Sequence, residues 1–219
     1  NNAQIIYKNY TNSICTILKK IGVNINTVPV LDSLRSVTHK SIGNRCFSKN
    51  SILVNKVGKL CVSLYKKNKI ATVIKHIPGH GLAELDSHHM LPVVKKSFTY
   101  LKKNDFSSFK NTKSLFAMTA HILYTKLDSN NCATHSKKII KNIIRKEIGF
   151  NGILISDDIS MRALKYDIYT NAKLSLKSGC NLALYCAGRI SESRKLLKSL
   201  PNIDKFTVKK TSEFYRYLS

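Results

Sequence analysis

The sequence is short of acidic residues. Its 219 residues include only eight Asp and four Glu against 37 Lys and Arg, which gives a formal net charge of +25 at pH 7. Few carboxylates are therefore available for chemistry. Arginine is scarce as well, since the positive charge comes from 30 Lys and seven Arg scattered along the chain. Arginine binds the base edges and phosphates of nucleic acids more specifically than lysine does. The excess of lysine over arginine therefore favours a generally basic surface over a dedicated nucleic-acid site.

Paired cysteines and long apolar runs are also missing. None of the six cysteines belongs to a C-x-x-C pair or to a zinc-type spacing. No run approaches the roughly 18 apolar residues of a membrane span, and no signal-peptide pattern opens the chain. These absences predict a soluble, cytoplasmic protein in a reducing compartment, with no membrane partner. The hydrophobic content of 43% excludes a disordered tail and permits a core without disulfides or metal.

The hydrophobic pattern predicts helices that alternate with short apolar strands. The helices are expected at 3–20, 49–69, after Asp105, 136–149, 168–178 and 190–199. The strands are expected at 23–30, 71–78, 114–124, 152–158 and 180–186. This alternation indicates βαβ units and a parallel sheet. Five strands suit either an open doubly wound sheet or most of a (β/α)8 barrel, and the pattern does not decide between them.

Polar residues follow the predicted strands, at Asp32, His76, His121 and Asp157. The carboxyl ends of parallel strands are where sites form in barrels and open sheets alike. A lone histidine such as His121 is more often structural than catalytic, and Asp32 is expected to brace a loop. The predicted site therefore lies at this edge of the sheet.

The densest polar group is the segment KHIPGHG (75–81), followed by DSHH (86–89). Its proline and glycines forbid a continuous helix, so His76 and His80 are not a helical metal pair. Asp86 and His88 are two residues apart, which places both side chains on one side of an extended loop. The carboxylate can then orient the imidazole of a general acid/base. A polar loop whose histidines only cap backbone groups explains the pattern equally well.

A second group is the segment ILISDD (153–158), which delivers two adjacent acids at the end of a buried strand. Strand alternation sends Asp157 and Asp158 to opposite sides, so only one can face a pocket. An ionised Asp157 could act as a nucleophile, while Asp158 caps the next helix. Arg45, in a loop beside the strand ends, presents a fork that suits sugar hydroxyls, carboxylates or phosphates.

Taken together, these segments resemble the glycoside hydrolase family 3 β-N-acetylhexosaminidases of the NagZ type. The order of the motifs matches over nearly the whole chain. The matching stretches are NINTVPVLD (24–32), NRCF (44–47), KHIPGHG (75–81), DSH (86–88), LPVV (91–94), MTAH (118–121) and GFNGILISDDISMRAL (149–164). The resemblance implies a (β/α)8 TIM-type barrel, formed by residues 1–219 as a single partial catalytic domain. Because family members begin with additional strands, we expect this barrel to be incomplete and the start of the protein to be missing.

The resemblance also implies a reaction. Asp157 looks like the nucleophile of a retaining mechanism, and His88 like the general acid/base with Asp86 as its dyad partner. Sugar-binding positions match Arg45, Lys75 and His76. The implied substrate is a terminal β-linked N-acetylglucosamine on an anhydro-muropeptide from peptidoglycan recycling, and neither a metal nor an organic cofactor is needed. The first alternative is a catalytically inactive remnant of such an enzyme. A basic nucleic-acid or envelope-binding protein is the less favoured second alternative. The oligomeric state is not predicted.

Overall fold

Helices and strands alternate along residues 2–218, the part of the chain that this computed structural model describes. The strands are β1 (Ile25–Asn26), β2 (Ala71–Ile77), β3 (Val93–Val94), β4 (Phe116–Thr119), β5 (Leu123–Tyr124) and β6 (Ile153–Ile155). The helices are α1 (Asn2–Lys20), α2 (Lys40–Gly43), α3 (Ser51–Lys67), α4 (Phe98–Asn104), α5 (Lys137–Ile139), α6 (Ile168–Ser178), α7 (Ile190–Ser199) and α8 (Lys205–Leu218). Helix α5 continues as π-helical turns over Ile140–Glu147, and 3-10 turns cover Phe106–Phe109 and Ala133–His135.

The main sheet has four parallel strands in the order β1-β2-β4-β6. All four carboxyl ends therefore meet at one edge, as the sequence predicts. Within residues 2–218 the sheet does not close, because no strand pairs with the outer side of β1 and the outer side of β6 carries only an isolated bridge to Leu182. Strands β3 and β5 form a separate parallel pair beside it. The architecture is an arc of alternating strands and helices with its polar loops on one edge.

The core lies between this sheet and the helices on its outer face. Ile74 and Leu154 of the sheet are fully buried, with Phe106 and Ile144 in the same cluster. Helix α3 approaches closely at Gly58, where an added Cβ would lie 2.4 Å from a methyl group of Leu31. This packing holds the strand ends in fixed relative positions. None of the helices within residues 2–218 combines the length and the apolar character needed to cross a bilayer.

Several predicted elements are confirmed and others are wrong. The helices at 3–20, 49–69, 168–178 and 190–199 correspond to α1, α3, α6 and α7. A short helix does follow Asp105, as the 3-10 turn Phe106–Phe109, but the Asp105 side chain makes no capping hydrogen bond to it. Helix α4, which ends at the preceding residue and is capped by the Ser97 side chain, was not predicted. Helix α8 was not predicted.

The strand predicted at 180–186 is reduced to one bridge between Ile155 and Leu182. The Leu184 N–H is taken by the Ser156 hydroxyl at 2.9 Å, and the Leu184 carbonyl accepts from the Ile159 N–H. Because these partners lie in the loop after β6, the segment follows that loop and does not form a ladder. The strand predicted at 114–124 is likewise divided, into β4 and β5.

Candidate active site

A buried carboxylate organises the polar edge of the sheet. Asp32 follows β1 and is fully buried. Its oxygens accept from the backbone N–H of His76 at 3.2 and 3.3 Å, from the backbone N–H of His80 at 2.7 Å, and from Nδ1 of His76 at 2.7 Å. Burial alone would raise the pKa of Asp32, but the neighbouring His76 and these hydrogen bonds hold it below its ordinary value. The loop after β2 is thus tied to the segment after β1 through an ionised group.

The two histidines of this loop differ in their surroundings. The rings of His76 and His80 lie 5.4 Å apart, edge to face. His80 is buried, with Nε2 at 3.3 Å from the Ser87 hydroxyl. Burial and the charge of His76 lower the pKa of His80 to about 4, so at neutral pH it is an uncharged structural group.

The two adjacent acids after β6 have separate surroundings, as strand alternation predicts. The Asp157 carboxylate accepts a hydrogen bond from the Asp158 N–H at 2.9 Å. Burial alone would raise the pKa of Asp157, but the nearby His76 and His121 lower it by more. The pKa of Asp157 therefore lies below its ordinary value. Asp158 instead accepts from the N–H and the hydroxyl of Ser160 at 3.0 and 2.7 Å and from the Cys186 N–H at 3.1 Å. Asp158 caps a turn, and not the next helix, while Asp157 keeps its charge beside histidines.

Lys75 interacts electrostatically with both Asp157 and Arg45. Burial lowers the pKa of Lys75, the Arg45 guanidinium lowers it further, and the nearby Asp157 and Asp32 oppose the shift. Arg45 is exposed, and its Nε donates to the Ser41 carbonyl at 2.9 Å. Both side chains line a groove of about 340 Å³. Its other walls are aromatic and aliphatic, from Tyr7, Tyr10, Val28, Phe47 and Tyr65.

The predicted dyad is formed on the exposed loop after β2. Nδ1 of His88 lies 2.7 Å from Oδ1 of Asp86, which also accepts from the His88 backbone N–H at 3.0 Å. Burial alone would raise the pKa of Asp86, but the hydrogen bonds from His88 outweigh this effect and lower the pKa. The His88 side chain is 63% exposed. Because Nδ1 is bound to Asp86, Nε2 is the nitrogen available to a substrate.

The six predicted site residues therefore fall into two sets. His76, Lys75, Arg45 and Asp157 interact electrostatically as one group at the strand ends. The Asp86–His88 pair lies on its own loop, and no hydrogen bond or ion pair among the described residues joins it to Asp157. No group of three or more His, Cys, Asp or Glu side chains within 2–218 is placed to hold a metal ion.

Three buried polar residues of the site do not stand out in the sequence. Asp32 was assigned only a loop-bracing role, although it orients His76. Thr119 and Thr134 were not singled out, yet they connect the backbone of Asp157 to His121. The available signal was the position of Asp32 and Thr119 at strand ends, which they share with the predicted site residues.

The chain is similar in sequence and in fold to known proteins. Residues 1–212 match the sequence profile of the glycosyl hydrolase family 3 N-terminal domain. A β-hexosaminidase of Nitrosomonas eutropha is 33% identical over 174 residues, which cover 77% of this chain and 49% of that protein. A β-hexosaminidase of Hydrogenovibrio crunogenus is 35% identical over 176 residues, covering 78% and 49%. The chain thus spans about half the length of the curated relatives it matches.

Solved structures show the same fold. Native NagZ from Neisseria gonorrhoeae superposes with a TM-score of 0.86 at 27% identity, covering 100% of this chain and 62% of that one. The β-N-acetylglucosaminidase from Thermotoga maritima gives 0.79 at 28% identity, covering 100% and 48%. Together with the open parallel sheet of residues 2–218, these likenesses confirm the predicted fold class, an incomplete TIM-type barrel.

Proposed function

The chain belongs to glycosyl hydrolase family 3, and we propose that it carries the catalytic side chains of a retaining exo-β-N-acetylglucosaminidase. The observation that carries the proposal is the Asp86–His88 pair, whose 2.7 Å contact occupies Nδ1 and leaves Nε2 exposed on a loop of the strand-end edge. A histidine oriented in this way by a carboxylate is suited to general acid/base work. The resemblance to β-hexosaminidases supports the amino-sugar substrate.

In the first step of the proposed reaction, an oxygen of Asp157 attacks the anomeric carbon of the sugar. The C–O bond to the aglycone breaks, and the departing oxygen takes a proton from Nε2 of His88. The depressed pKa of Asp157 keeps it ionised at neutral pH, as a nucleophile requires. In the second step, His88 accepts a proton from water, whose oxygen attacks the anomeric carbon and releases Asp157. Two inversions give net retention.

The proposal requires the loop of His88 to approach Asp157 when the sugar binds. A general acid must come within hydrogen-bond reach of the leaving oxygen, and such contacts are commonly longer without substrate. The exposed position of His88 allows this approach, because few packed contacts must be broken. Lys75, Arg45 and His76 are proposed to hold the sugar hydroxyl and acetamido groups beside Asp157. None of these steps calls for a metal or an organic cofactor.

For the natural substrate we propose a terminal β-linked N-acetylglucosamine on a peptidoglycan-derived anhydro-muropeptide. Such fragments carry carboxylates, which the net charge of +25 would attract. All six cysteines are free thiols, which suits cleavage in the reducing cytoplasm during cell-wall recycling.

A competing proposal is a chain that binds the sugar without turning it over. The open sheet and the separation of the dyad from Asp157 favour it. Hydrolysis of an aryl β-N-acetylglucosaminide by the purified chain separates the two. We expect turnover that falls by at least about 10⁴-fold in Asp157→Asn, with unchanged circular dichroism. Undiminished turnover in this variant would refute the nucleophile assignment, whereas a folded wild-type chain without turnover would favour the binding-only alternative.

A further inference from the structure

A buried chain of side chains connects two backbone groups on either side of the Asp157 carboxylate. The Asp157 N–H points to the hydroxyl oxygen of Thr119 at 3.4 Å. That oxygen lies 2.8 Å from the hydroxyl of Thr134, which lies 2.7 Å from Nδ1 of His121. Nε2 of His121 lies 3.0 Å from the Asp158 carbonyl oxygen. The three linking side chains belong to residues with no solvent exposure.

The two ends of this chain fix the direction of every hydrogen bond in it. A backbone N–H can only donate and a carbonyl can only accept. Nε2 of His121 must therefore carry its hydrogen, which leaves Nδ1 as an acceptor in the neutral ring. Thr134 donates to Nδ1, Thr119 donates to Thr134, and Asp157 donates to Thr119. Each hydroxyl then gives one hydrogen bond and receives one, so the set is satisfied in a single arrangement.

The charge state of His121 agrees with that arrangement. Burial lowers the pKa of His121, against the opposing influence of Asp157 and Asp158. A protonated ring would instead donate from Nδ1 to Thr134, whose hydroxyl would turn to the Ala120 carbonyl at 3.2 Å. The directed chain needs the neutral Nε2–H form.

We propose that Thr119, Thr134 and His121 are positioning residues for Asp157, acting as a buried relay that holds the backbone before and after its carboxylate. The Asp157 side chain leaves the backbone between the two tethered groups, so tethering both limits the directions in which it can point. A reacting oxygen displaced by about 1 Å can lose about 10²-fold in rate. The relay does not touch substrate. Its catalytic relevance rests on the proposed glycosidase function, but its existence does not.

The test compares Thr134→Val, which removes the relay hydroxyl at nearly constant volume, with Thr134→Ser, which keeps it. Thr72→Val is the matched control, because Thr72 is also buried and its hydroxyl lies 3.0 Å from that of Ser114, remote from the candidate site. The readouts are the 15N signals of the His121 ring, hydrogen exchange of the Asp157 amide, and kcat and KM on an aryl β-N-acetylglucosaminide.

The wild-type ring is expected as the neutral Nε2–H tautomer at pH 7. Thr134→Val should change the 15N signals of the His121 ring and accelerate exchange of the Asp157 amide at least about tenfold relative to Thr72→Val. It should also lower kcat about 10–10²-fold with little change in KM. Thr134→Ser should restore all three. An Nδ1–H tautomer or an imidazolium in the wild type would overturn the relay, as would equal exchange in the two valine variants. Equal kcat values in an active chain would overturn the positioning role. If the wild type has no turnover, the proposed function fails, and the tautomer and exchange measurements alone decide whether the relay exists.

Discussion

Replacement of Asp32 by asparagine tests whether one buried charge holds the strand ends together. The carboxylate accepts hydrogen bonds from both backbone N–H groups of the loop, at His76 and His80, and from the His76 ring. In Asp32→Asn, an NH2 group takes the place of one oxygen. A donor then faces a donor, and at least one buried N–H loses its acceptor.

The expected cost follows from the burial of this group. A hydrogen bond to a charged acceptor contributes about 1.5–3 kcal/mol, and removing one partner of a buried ion pair costs about 3–5 kcal/mol. We therefore expect Asp32→Asn to lower the free energy of unfolding by about 3–5 kcal/mol at pH 7. Because the pKa of Asp32 is lower in the folded chain, its contribution is present above its ordinary pKa of about 3.9. That contribution is lost as the pH falls through the folded value.

Asp105 provides a matched control, because it is equally buried and its pKa moves in the opposite direction. Burial raises the pKa of Asp105 to about 7, although Arg35 at 3.7 Å partly opposes this. Its Oδ1 has no hydrogen-bond partner within residues 2–218. Any stability it contributes is present below about pH 4 and is lost as the pH rises through about 7. At pH 8 Asp105→Asn removes a buried anion, and we expect it to change stability by less than about 1 kcal/mol or to increase it.

Urea denaturation of the wild type and both variants at pH 4, 6 and 8 measures these differences. The Asp32→Asn deficit should be large at all three pH values and should shrink only below about pH 4, as the pH falls toward the lowered folded pKa. An Asp32→Asn variant as stable as the wild type at pH 7, or one less affected than Asp105→Asn, would refute the charged anchor. It would show that packing alone holds the loop.

Two further predictions concern the loop after β2. Asp86→Asn should lower kcat on an aryl β-N-acetylglucosaminide by about 10²-fold, because it disorients the His88 acid/base without removing it. This loss is smaller than the loss expected for Asp157→Asn. The pH-rate profile should also change, and an unaltered profile would argue against the Asp86–His88 dyad. Gly81→Ala should destabilise the fold by about 3 kcal/mol or more, since its Cβ would lie 1.9 Å from the Ser33 carbonyl oxygen. Gly43→Ala, with ordinary contacts of 3.5 Å or more, is the control in thermal melts, and equal melting temperatures would contradict the packing argument.

The sequence predicted the fold where local patterns decide structure. Helical periodicity located α1, α3 and α6 to within a few residues, because an amphipathic stripe and its capping residues are local features. The sequence did not predict the structure where hydrogen bonds between distant segments determine it. Residues 180–186 are apolar enough for a strand, but the Ser156 side chain takes the Leu184 N–H that a ladder would use. No local pattern reports such a competitor.

The same distinction applies to the candidate site. Asp86 and His88 are in contact, as their spacing predicts, but the segment is a turn closed by the His89 N–H on the Asp86 carbonyl and not the extended loop that was expected. The partners of Asp32, in contrast, are 44 and 48 positions away, and the relay joins residues from three separate segments. Strand-end position alone placed these residues near one another without showing which would touch. Their contacts depend on the register of β2, β4 and β6, which is set by the whole core.

Those long-range contacts give the two parts of the candidate site different mechanical properties. Asp157 is held by buried hydrogen bonds that originate in β4 and in the turn at Ala133–His135, so its position is fixed by the core. His88 depends on a local bond to Asp86 within an exposed loop, and its pairing can survive movement of that loop. A retaining glycosidase benefits from this division, because the nucleophile must meet one carbon atom at a defined distance while the proton donor must admit and release the aglycone. The separation of the dyad from Asp157 is therefore compatible with the proposed reaction.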